Sequence, residues 1–289
     1  MSWQFSMASD IGGRSEQQDC MEMLSSDDGH THLVVVADGM GGHRDGALAA
    51  RTVIETAKRH FNTGPISDPR TFLENLCHES HQAISELGGN EQRSPGSTCV
   101  VLYLSGPEAY WAHVGDSRLY HFRNGMLLNR TQDHSVAQLM VAQGRIPETD
   151  ASISALQNQL YMRLGGNDDP EPDFGAAEVE ADDIFMLCSD GFWACVAPEE
   201  VVGSLDKLPI EKDDATHLVE MARERGGPKG DNISLALTRW NADGTQCNRG
   251  LFARFLARIL AYNPKELLLN MSARQKRTRA GMHDCSNRE

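Results

Sequence analysis

Residues 34–43 read VVVADGMGGH, and this stretch decides the fold because an apolar run ends in it at an aspartate, Asp38. The apolar residues predict a buried strand over residues 32–37, which ends at Asp38-Gly39. A glycine after the aspartate lets the backbone approach a ligand closely and present its carbonyl oxygen. A strand that ends in an aspartate is the unit that recurs along the rest of the chain.

Other aspartates stand at the ends of apolar runs. Asp116 comes after an apolar run in AHVGDSR, and Asp190 comes after one in FMLCSDG. Asp231 stands just before the run ISLAL, and Asp19 lies beside a short predicted strand over residues 20–24. Asp-Gly is common in turns, and any single aspartate fits that simpler interpretation. Converging strands can bring such carboxylates together, where they repel one another unless a cation lies between them. The five positions together therefore favour a metal site.

Short β-rich segments predict a fold built from antiparallel sheets. Further strands are predicted over residues 98–104, 109–114, 119–123, 126–129, 184–188 and 233–238, and helices over residues 47–61, 72–87, 135–142 and 215–225. The hairpin signal Asn124-Gly125 joins two of these strands. Because strands and helices do not alternate regularly, a doubly wound parallel sheet is not expected. We predict an α+β fold, a four-layer α-β-β-α sandwich of two antiparallel sheets flanked by helices.

Composition and charge narrow the class of protein. The chain has 289 residues with 40% hydrophobic and 24% charged residues, no apolar run of membrane-spanning length and no signal peptide, which predicts a cytoplasmic globular protein. Seven cysteines without a C-x-x-C pair are typical of reduced core residues. Residues 241–289 hold nine Lys/Arg and four Asp/Glu, so that residues 1–240 carry a net charge of −19. That acidic body argues against nucleic-acid binding.

The composition changes near residue 240, which predicts a catalytic domain over residues 1–240 and a separate segment over 241–289. In that segment an apolar stripe recurs at helical spacing, with Arg254 and Arg258 between its members. The stripe consists of Phe252, Phe255, Leu256, Ile259 and Leu260. We predict a linker, a short basic amphipathic helix and a disordered basic tail. We favour a helix that docks on the body or a tail that is only solvated, and contact with an anionic membrane or a partner is the alternative.

Eight segments resemble, in order, the motifs of the bacterial metal-dependent protein phosphatases of type 2C, over roughly residues 5–240. They are RSEQQD at 14–19, ADGMGGH at 37–43, GST at 96–98, GDSR at 115–118, DHS at 133–135, LG at 164–165, SDG at 189–191 and DN at 231–232. Each motif alone is weak, but their common order is specific. The resemblance implies a protein serine/threonine phosphatase that hydrolyses phosphate monoesters with a metal-activated water.

The resemblance also implies roles for the acidic positions. Asp38, helped by the Gly39 carbonyl, would bridge two metal ions. Asp190 and Asp231 would complete the ligands of the first ion, and Asp19 would hold metal-bound waters. Ligands that are all oxygens suit Mn2+ or Mg2+ better than zinc.

Four further positions matched by the motifs complete the expected site. Asp116, together with Asp190, resembles the site of a third and weaker metal. Arg14 would grip the phosphate oxygens with its planar guanidinium. His43 is our candidate for the general acid that protonates the leaving alkoxide, although it could instead only support the glycine loop. For His134 we expect a stabilising role through hydrogen bonds with its neighbours.

The chain departs from the family pattern at a few positions. Gln17 and Gln18 stand where asparagine and glutamate are common, but neither change removes a metal ligand. The flap, residues 145–165, has Ser154-Ala155 where a His-Pro pair is common. Because the flap borders the catalytic cleft, substrate preference is the property that transfers least.

Two other functions compete with an active phosphatase opposing a Ser/Thr kinase. The first is a non-catalytic scaffold of the same fold that binds phosphoproteins, but such a protein should have lost some metal aspartates. The second is a regulatory phosphatase acting on a sigma-factor antagonist, but these usually carry sensory or membrane domains. We expect a monomer whose partners are phosphorylated proteins, including a Ser/Thr kinase and its substrates.

Overall fold

The computed structural model describes residues 2–41, 44–88, 94–151, 156–205, 210–211 and 213–241. The chain divides into the units Met1–Gly244 and Thr245–Glu289, and all of these residues belong to the first. The predicted amphipathic helix and basic tail, like His43, lie outside the described residues.

Eleven strands and seven α-helices follow one another along the described part of the chain. The strands are β1 (Ser2–Asp10), β2 (Asp19–Ser25), β3 (Thr31–Met40), β4 (Gly96–Ser97), β5 (Cys99–Ser105), β6 (Glu108–Val114), β7 (Arg118–Arg123), β8 (Met126–Arg130), β9 (Asp173–Glu178), β10 (Ile184–Cys188) and β11 (Ile233–Asn241). The helices are α1 (Arg44–Phe61), α2 (Pro69–Glu86), α3 (Val136–Ala142), α4 (Glu148–Ala151), α5 (Asp190–Trp193), α6 (Pro198–Ser204) and α7 (Asp214–Gly226).

Two antiparallel sheets organise these elements. One sheet has the order β1-β11-β10-β7-β8, and the other has the order β2-β3-β5-β6-β9 with β4 paired to β3. Every strand pair is antiparallel, as the hairpin signals predict. The first and last strands of the domain, β1 and β11, are neighbours, so the two ends of this unit are joined in one sheet.

Strand β3 shows why apolar runs without alternation occur in this protein. Leu33, Val35 and Ala37 face a core shared with α1 and α2, whereas Val34 and Val36 face the core between the two sheets. A strand covered on both faces needs apolar residues at every position, because successive side chains point to opposite faces.

The molecule therefore has three apolar cores between four layers. The first lies between α1, α2 and the six-stranded sheet, the second lies between the sheets, and the third lies between the five-stranded sheet and α5, α6 and α7. The predicted four-layer α-β-β-α sandwich is confirmed. Among the described residues, none of the helices combines the length with the hydropathy that a membrane span requires.

The structure also contains elements that the sequence patterns did not predict. The strands β1, β4 and β9 and the short helices α4, α5 and α6 were not among the predicted segments. Residues 173–178, DFGAAE, contain no β-branched residue, and all six are half-buried. Its pairing with β6 comes from tertiary context rather than from local preference.

Candidate metal centre

The first two site aspartates face each other on neighbouring strands. Asp19 begins β2 and is the register partner of Asp38 near the end of β3. Thr98 holds Asp38 on the other side, because its hydroxyl accepts a hydrogen bond of 2.9 Å from the Asp38 amide and its own amide donates to the Asp38 carbonyl at 2.8 Å. The position of Asp38 is thus set by β2 and by the segment that leads into β5.

Gly39 has no room for a side chain. A Cβ atom there would lie 1.9 Å from the Gly46 carbonyl oxygen and 2.9 Å from the Gln18 carbonyl oxygen. The residue must therefore be glycine for the backbone after Asp38 to pass between these two segments. The close approach explains why the aspartate is followed by glycine in the sequence.

Two further aspartates come from the other sheet. Asp190 follows β10 and begins α5, and Asp231 lies just before β11. Because β10 and β11 are antiparallel neighbours, the end of one strand lies beside the start of the other. Gly191 fits closely against this junction, since a Cβ atom there would lie 2.1 Å from the Asn232 carbonyl oxygen.

Ser189 connects the two sheets beneath the carboxylates. Its hydroxyl donates a hydrogen bond of 2.6 Å to Asp19 Oδ2 and accepts one of 3.0 Å from the Ser234 amide. Ser189 stands at the N-cap position of α5, where a serine side chain often caps the helix, but within the described residues it makes no such bond. Its hydroxyl is engaged with Asp19 instead.

Asp116 lies in the connection between β6 and β7 and is buried. The preceding Gly115 has φ +102°, a region that favours glycine. The indole nitrogen of Trp193 donates a hydrogen bond of 2.9 Å to the Asp116 carbonyl oxygen. Asp116 is therefore fixed through its backbone, which leaves its carboxylate to the site.

The pKa values show how strongly the carboxylates influence one another. Burial and then the charges of Asp19, Asp190, Asp116 and Asp231 raise the pKa of Asp38 well above its ordinary value. Burial and then the charges of Asp116, Asp231 and Asp19 do the same to the pKa of Asp190. Burial is the largest cause for the other two as well, and it raises the pKa of Asp19 to about 6 and that of Asp116 to about 7.

The donor set fits a hard divalent cation. Asp19 Oδ1 and Asp190 Oδ1 are buried and have no hydrogen-bond partner among the described residues. A buried carboxylate oxygen without a partner is costly, and repulsion between neighbouring carboxylates adds to that cost. A cation among these oxygens would offset both, and carboxylate and carbonyl oxygens are the ligands that Mn2+ and Mg2+ favour.

Arg14 reaches this cluster from a loop at its edge. Its guanidinium Nη2 lies 2.5 Å from Asp231 Oδ2, and its side chain is 54% exposed. Asn232 holds the loop, because its side-chain amide donates to the carbonyls of Ile11 and Glu16, and its oxygen accepts from the Gln18 amide. Arg14 therefore places an exposed guanidinium, paired with Asp231, at the rim of the carboxylate cluster.

Comparison with known proteins identifies the family. The family model described as protein phosphatase 2C matches residues 8–224. The chain belongs to the protein phosphatase 2C family. The resemblance given by the sequence motifs is thereby confirmed, and with it the prediction of a metal-dependent phosphatase.

Relatives and solved structures agree with this assignment. Protein phosphatase PhpP of Streptococcus pneumoniae is 29% identical over 249 residues, which cover 84% of this chain and all of the relative. The serine/threonine phosphatase of S. agalactiae has a TM-score of 0.74 at 29% identity, over 82% of this chain and 98% of that one. The catalytic domain of PstP, solved in complex with two manganese ions, has a TM-score of 0.70 at 27% identity, over 83% of this chain and 99% of that one.

His134 in this phosphatase is bonded differently from the sequence expectation. Its ring Nδ1 accepts a hydrogen bond of 3.1 Å from the Gly115 amide, and its Nε2 lies 3.1 Å from Asp173 Oδ2. Its sequence neighbours are engaged elsewhere, since Asp133 pairs with Arg118 and Ser135 caps α3. The expected stabilising role remains, but the partners come from distant segments, and one of them directly precedes Asp116.

A second group of potential metal ligands contains none of the five site aspartates. Candidate ligand atoms of His113, His134 and Asp173 lie within 4.8 Å of one another. Because the Gly115 amide donates to His134 Nδ1, the ring proton belongs on Nε2, which then has no lone pair for a cation. His113 Nε2 bonds the Gln132 carbonyl, and burial lowers the pKa of His113 to about 4. The cluster is better explained as neutral imidazoles in a hydrogen-bonded stack than as a metal site.

The flap of the phosphatase is joined to the body at its end. Leu164 exchanges two backbone hydrogen bonds with Ser97, whose hydroxyl donates to the Asp38 carbonyl at 3.1 Å. The Gly165 amide donates to His81 Nδ1 at 3.1 Å. The Leu164-Gly165 motif therefore connects the flap to the segment that carries Asp38, whereas Ser154-Ala155 lie outside the described residues.

Proposed function

We propose that this chain is a protein serine/threonine phosphatase that removes phosphate from phosphoserine and phosphothreonine with the help of two divalent metal ions, Mn2+ or Mg2+. The observation that carries the proposal is the meeting of five aspartates from two sheets, with buried carboxylate oxygens that no described residue satisfies. Family membership and the two manganese ions in the PstP structure support it.

The aspartates would share the metals in the way that the motifs imply. Asp38 and the Gly39 carbonyl would bridge the pair, and Asp190 and Asp231 would complete the shell of the first ion. Asp19, held by Ser189, would accept hydrogen bonds from coordinated waters. Asp116 with Asp190 would hold a third ion. The bound pair supplies a water of lowered pKa as the nucleophile for attack on phosphorus.

Arg14 would bind the phosphate group of the substrate. A guanidinium can donate two parallel hydrogen bonds to phosphate oxygens, and it keeps its charge at any working pH. Its present contact with Asp231 supports this role, because the side chain already lies beside the carboxylates and is more than half exposed. Binding a phosphate would exchange the ion pair with Asp231 for hydrogen bonds to the phosphate oxygens.

His43 would donate the proton that the leaving alkoxide needs. The substitution His43→Gln should slow hydrolysis of alkyl phosphates more than that of p-nitrophenyl phosphate, because nitrophenolate leaves without a proton. The measurement is kcat for both substrates in both proteins. Equal losses for the two substrates would assign His43 to support of the glycine loop instead.

The cellular setting follows from the same proposal. Phosphoproteins would be the partners, with a bacterial Ser/Thr kinase as the opposing enzyme, and we propose a monomer in the cytoplasm that binds no nucleic acid. The strongly acidic body over residues 1–240 supports the exclusion of nucleic acid.

The test is hydrolysis of a phosphothreonine peptide and of p-nitrophenyl phosphate with Mn2+, with and without a chelator. We expect turnover of both substrates, abolished by the chelator and restored by added Mn2+. A protein that binds the phosphopeptide but hydrolyses neither substrate would favour the non-catalytic scaffold, the second candidate. The presence of all five aspartates and Arg14 counts against that candidate.

A further inference from the structure

A cavity of about 340 Å³ with several charged side chains in its lining lies between the flap and the body of the phosphatase. Arg118, Asp133 and Trp193 line it on the side of the body, and Gln157 and Asn158 line it on the side of the flap. Its volume is within the range of sites that hold a small ligand or a side chain. The proposed catalytic roles use none of these residues.

The wall on the side of the body consists of paired and stacked side chains and is connected to the Asp116 segment. Arg118 makes a two-pronged ion pair with Asp133, with Nε–Oδ1 and Nη2–Oδ2 distances of 2.8 and 2.7 Å. Its guanidinium carbon lies 3.5 Å from the centre of the Trp193 ring. Trp193, which lines the cavity, also donates a hydrogen bond to the backbone carbonyl of Asp116. The Trp193 side chain therefore links the cavity to the segment that carries Asp116, one of the proposed metal ligands.

Arg130 brings a second positive charge to the cavity, and this charge is loosely paired. Its Nη2 lies 3.5 Å from Glu148 Oε1, at the outer limit of a hydrogen bond, and the Glu148 side chain is 72% exposed. By contrast, Arg118 and Arg123 hold their carboxylates at 2.7–2.8 Å with two nitrogens each. Arg130 can thus accept a better counter-ion.

The asymmetry of the Arg130–Glu148 pair indicates which charge the cavity would bind. Only 28% of the Arg130 side chain is exposed, so it has lost more hydration than Glu148 and gains more from a new partner. The charge of Asp133 is already neutralised by Arg118. An arriving carboxylate would therefore find a cation, whereas an arriving lysine would find a well-hydrated glutamate.

We propose that this cavity binds the carboxylate of an acidic side chain near the phosphorylated residue of the protein substrate, and that Arg130 sets this preference. The inference rests on the proposed phosphatase function. Gln157 and Asn158 line the same cavity and could donate further hydrogen bonds. The flap would then contribute to the choice of substrate through this subsite.

The test compares phosphothreonine peptides that differ only by Glu, Gln or Lys at one position, scanned along the peptide on either side of the phosphothreonine. At the position that reaches the cavity, we expect wild type to prefer Glu over Gln by about tenfold in kcat/KM, the size of one charge-assisted hydrogen bond. Arg130→Gln should remove this preference, and Arg130→Lys should keep part of it. The matched control is Arg59→Gln, an exposed arginine paired with Glu79 in a different part of the protein, which should leave the preference unchanged.

Two charge variants make the test sharper. Arg130→Glu should turn the preference towards the Lys peptide, and Glu148→Gln should strengthen the preference for Glu because it removes the competing carboxylate. Melting temperatures would establish that each variant is folded, and hydrolysis of p-nitrophenyl phosphate would normalise its active-site content.

Each result decides the matter. A wild-type enzyme that hydrolyses the peptides without preferring Glu at any position, or that prefers Lys, would overturn the subsite alone. A preference that survives Arg130→Gln would remove Arg130 from the proposal and overturn it. A wild-type enzyme that hydrolyses p-nitrophenyl phosphate but no phosphopeptide would overturn the proposed protein substrate and the subsite together.

Discussion

Two aspartates flank the same strand, β10, and they differ in almost every respect. Asp183, just before the strand, is fully buried and accepts hydrogen bonds from Arg123, His121 and the Glu180 amide. Although burial raises the pKa of Asp183, the hydrogen bonds from Arg123 and His121 outweigh it and lower the pKa below its ordinary value. Asp190, just after the strand, has a buried oxygen without a described partner and a raised pKa.

The difference distinguishes a carboxylate that the chain itself neutralises from the carboxylates that we propose as metal ligands. At the Asp183 end, the chain itself supplies the positive charges and the hydrogen-bond donors. At the Asp190 end, it supplies several negative charges and few donors, an arrangement that a divalent cation would stabilise. Changing one aspartate at each end should therefore have opposite consequences for activity and stability.

The largest effect is expected at the metal end. Asp38→Asn should lower kcat/KM on the order of 10⁴-fold, because it removes the carboxylate proposed to bridge both metals. Asp231→Asn should act in the same direction. The measurement is steady-state hydrolysis of p-nitrophenyl phosphate at limiting Mn2+.

The same variant provides a control on stability. In the presence of a chelator, Asp38→Asn should unfold at the same temperature as wild type or a higher one, because one source of charge repulsion is gone. Near wild-type turnover, or a large loss of metal-free stability, would contradict the assignment of Asp38 to the metals.

The opposite end should respond in stability and not in metal binding. Asp183→Asn should cost about 3 kcal/mol in the free energy of unfolding, because it leaves the Arg123 charge without its buried partner. The measurement is urea unfolding, with Mn2+ affinity as the second readout. Glu200→Gln is the matched control, since Glu200 pairs with Arg225 through two nitrogens at 2.7 and 2.8 Å, but both of these side chains are exposed. A fall in Mn2+ affinity for Asp183→Asn would erase the distinction between the two ends.

A smaller effect is expected at the link between the sheets. Ser189→Ala should weaken Mn2+ binding about 10- to 100-fold, because Asp19 would lose the hydrogen bond that orients it. Isothermal titration with Mn2+ measures this directly, and Ser204→Ala, a remote hydroxyl bonded to the Glu200 carbonyl, is the control. Unchanged Mn2+ affinity for Ser189→Ala would show that Asp19 keeps its position without Ser189.

The smallest effect concerns the rim of the metal end. Arg14→Ala should raise KM for a phosphopeptide about tenfold, the value of one charge-assisted hydrogen bond, and kcat would fall too if the contact tightens in the transition state. Metal affinity should hardly move. If Mn2+ binding weakens strongly while KM stays constant, Arg14 serves mainly as the partner of Asp231.

Much of the fold was predictable because its signals are local. The apolar run in β3 and the Asn124-Gly125 turn between β7 and β8 predict their elements directly. The sequence patterns did not predict strand β9, because Gly175 and its neighbouring alanines have no preference for strands. The indole ring of Trp111 packs directly on Gly175, and a Cβ atom on this glycine would lie 2.2 Å from the ring. The contact that makes this segment a strand is with a residue far along the chain.

The site residues divide in a similar way. The motifs predict the aspartates and Arg14 as site residues, whereas nothing near Ser189 in the sequence indicates that its hydroxyl would bond Asp19, 170 residues away. The sequence position of His134 suggested its neighbours as partners, and the structure supplied Gly115 and Asp173. A hydrogen-bond partner depends on which surfaces meet, and short-range patterns carry no information on that.

The sequence by itself determined the residue types that a metal-dependent phosphatase needs and the apolar runs that bury both faces of its sheets. Those properties reside in single segments, since a carboxylate binds a cation and an apolar strand leaves water wherever it lies. Only the tertiary structure decided that Ser189 would hold Asp19, that Asp183 would be neutralised while Asp190 would not, and that Arg130 would face a cavity beside Trp193. Each of these depends on distances between groups far apart in the chain, and burial and electrostatic energies follow those distances.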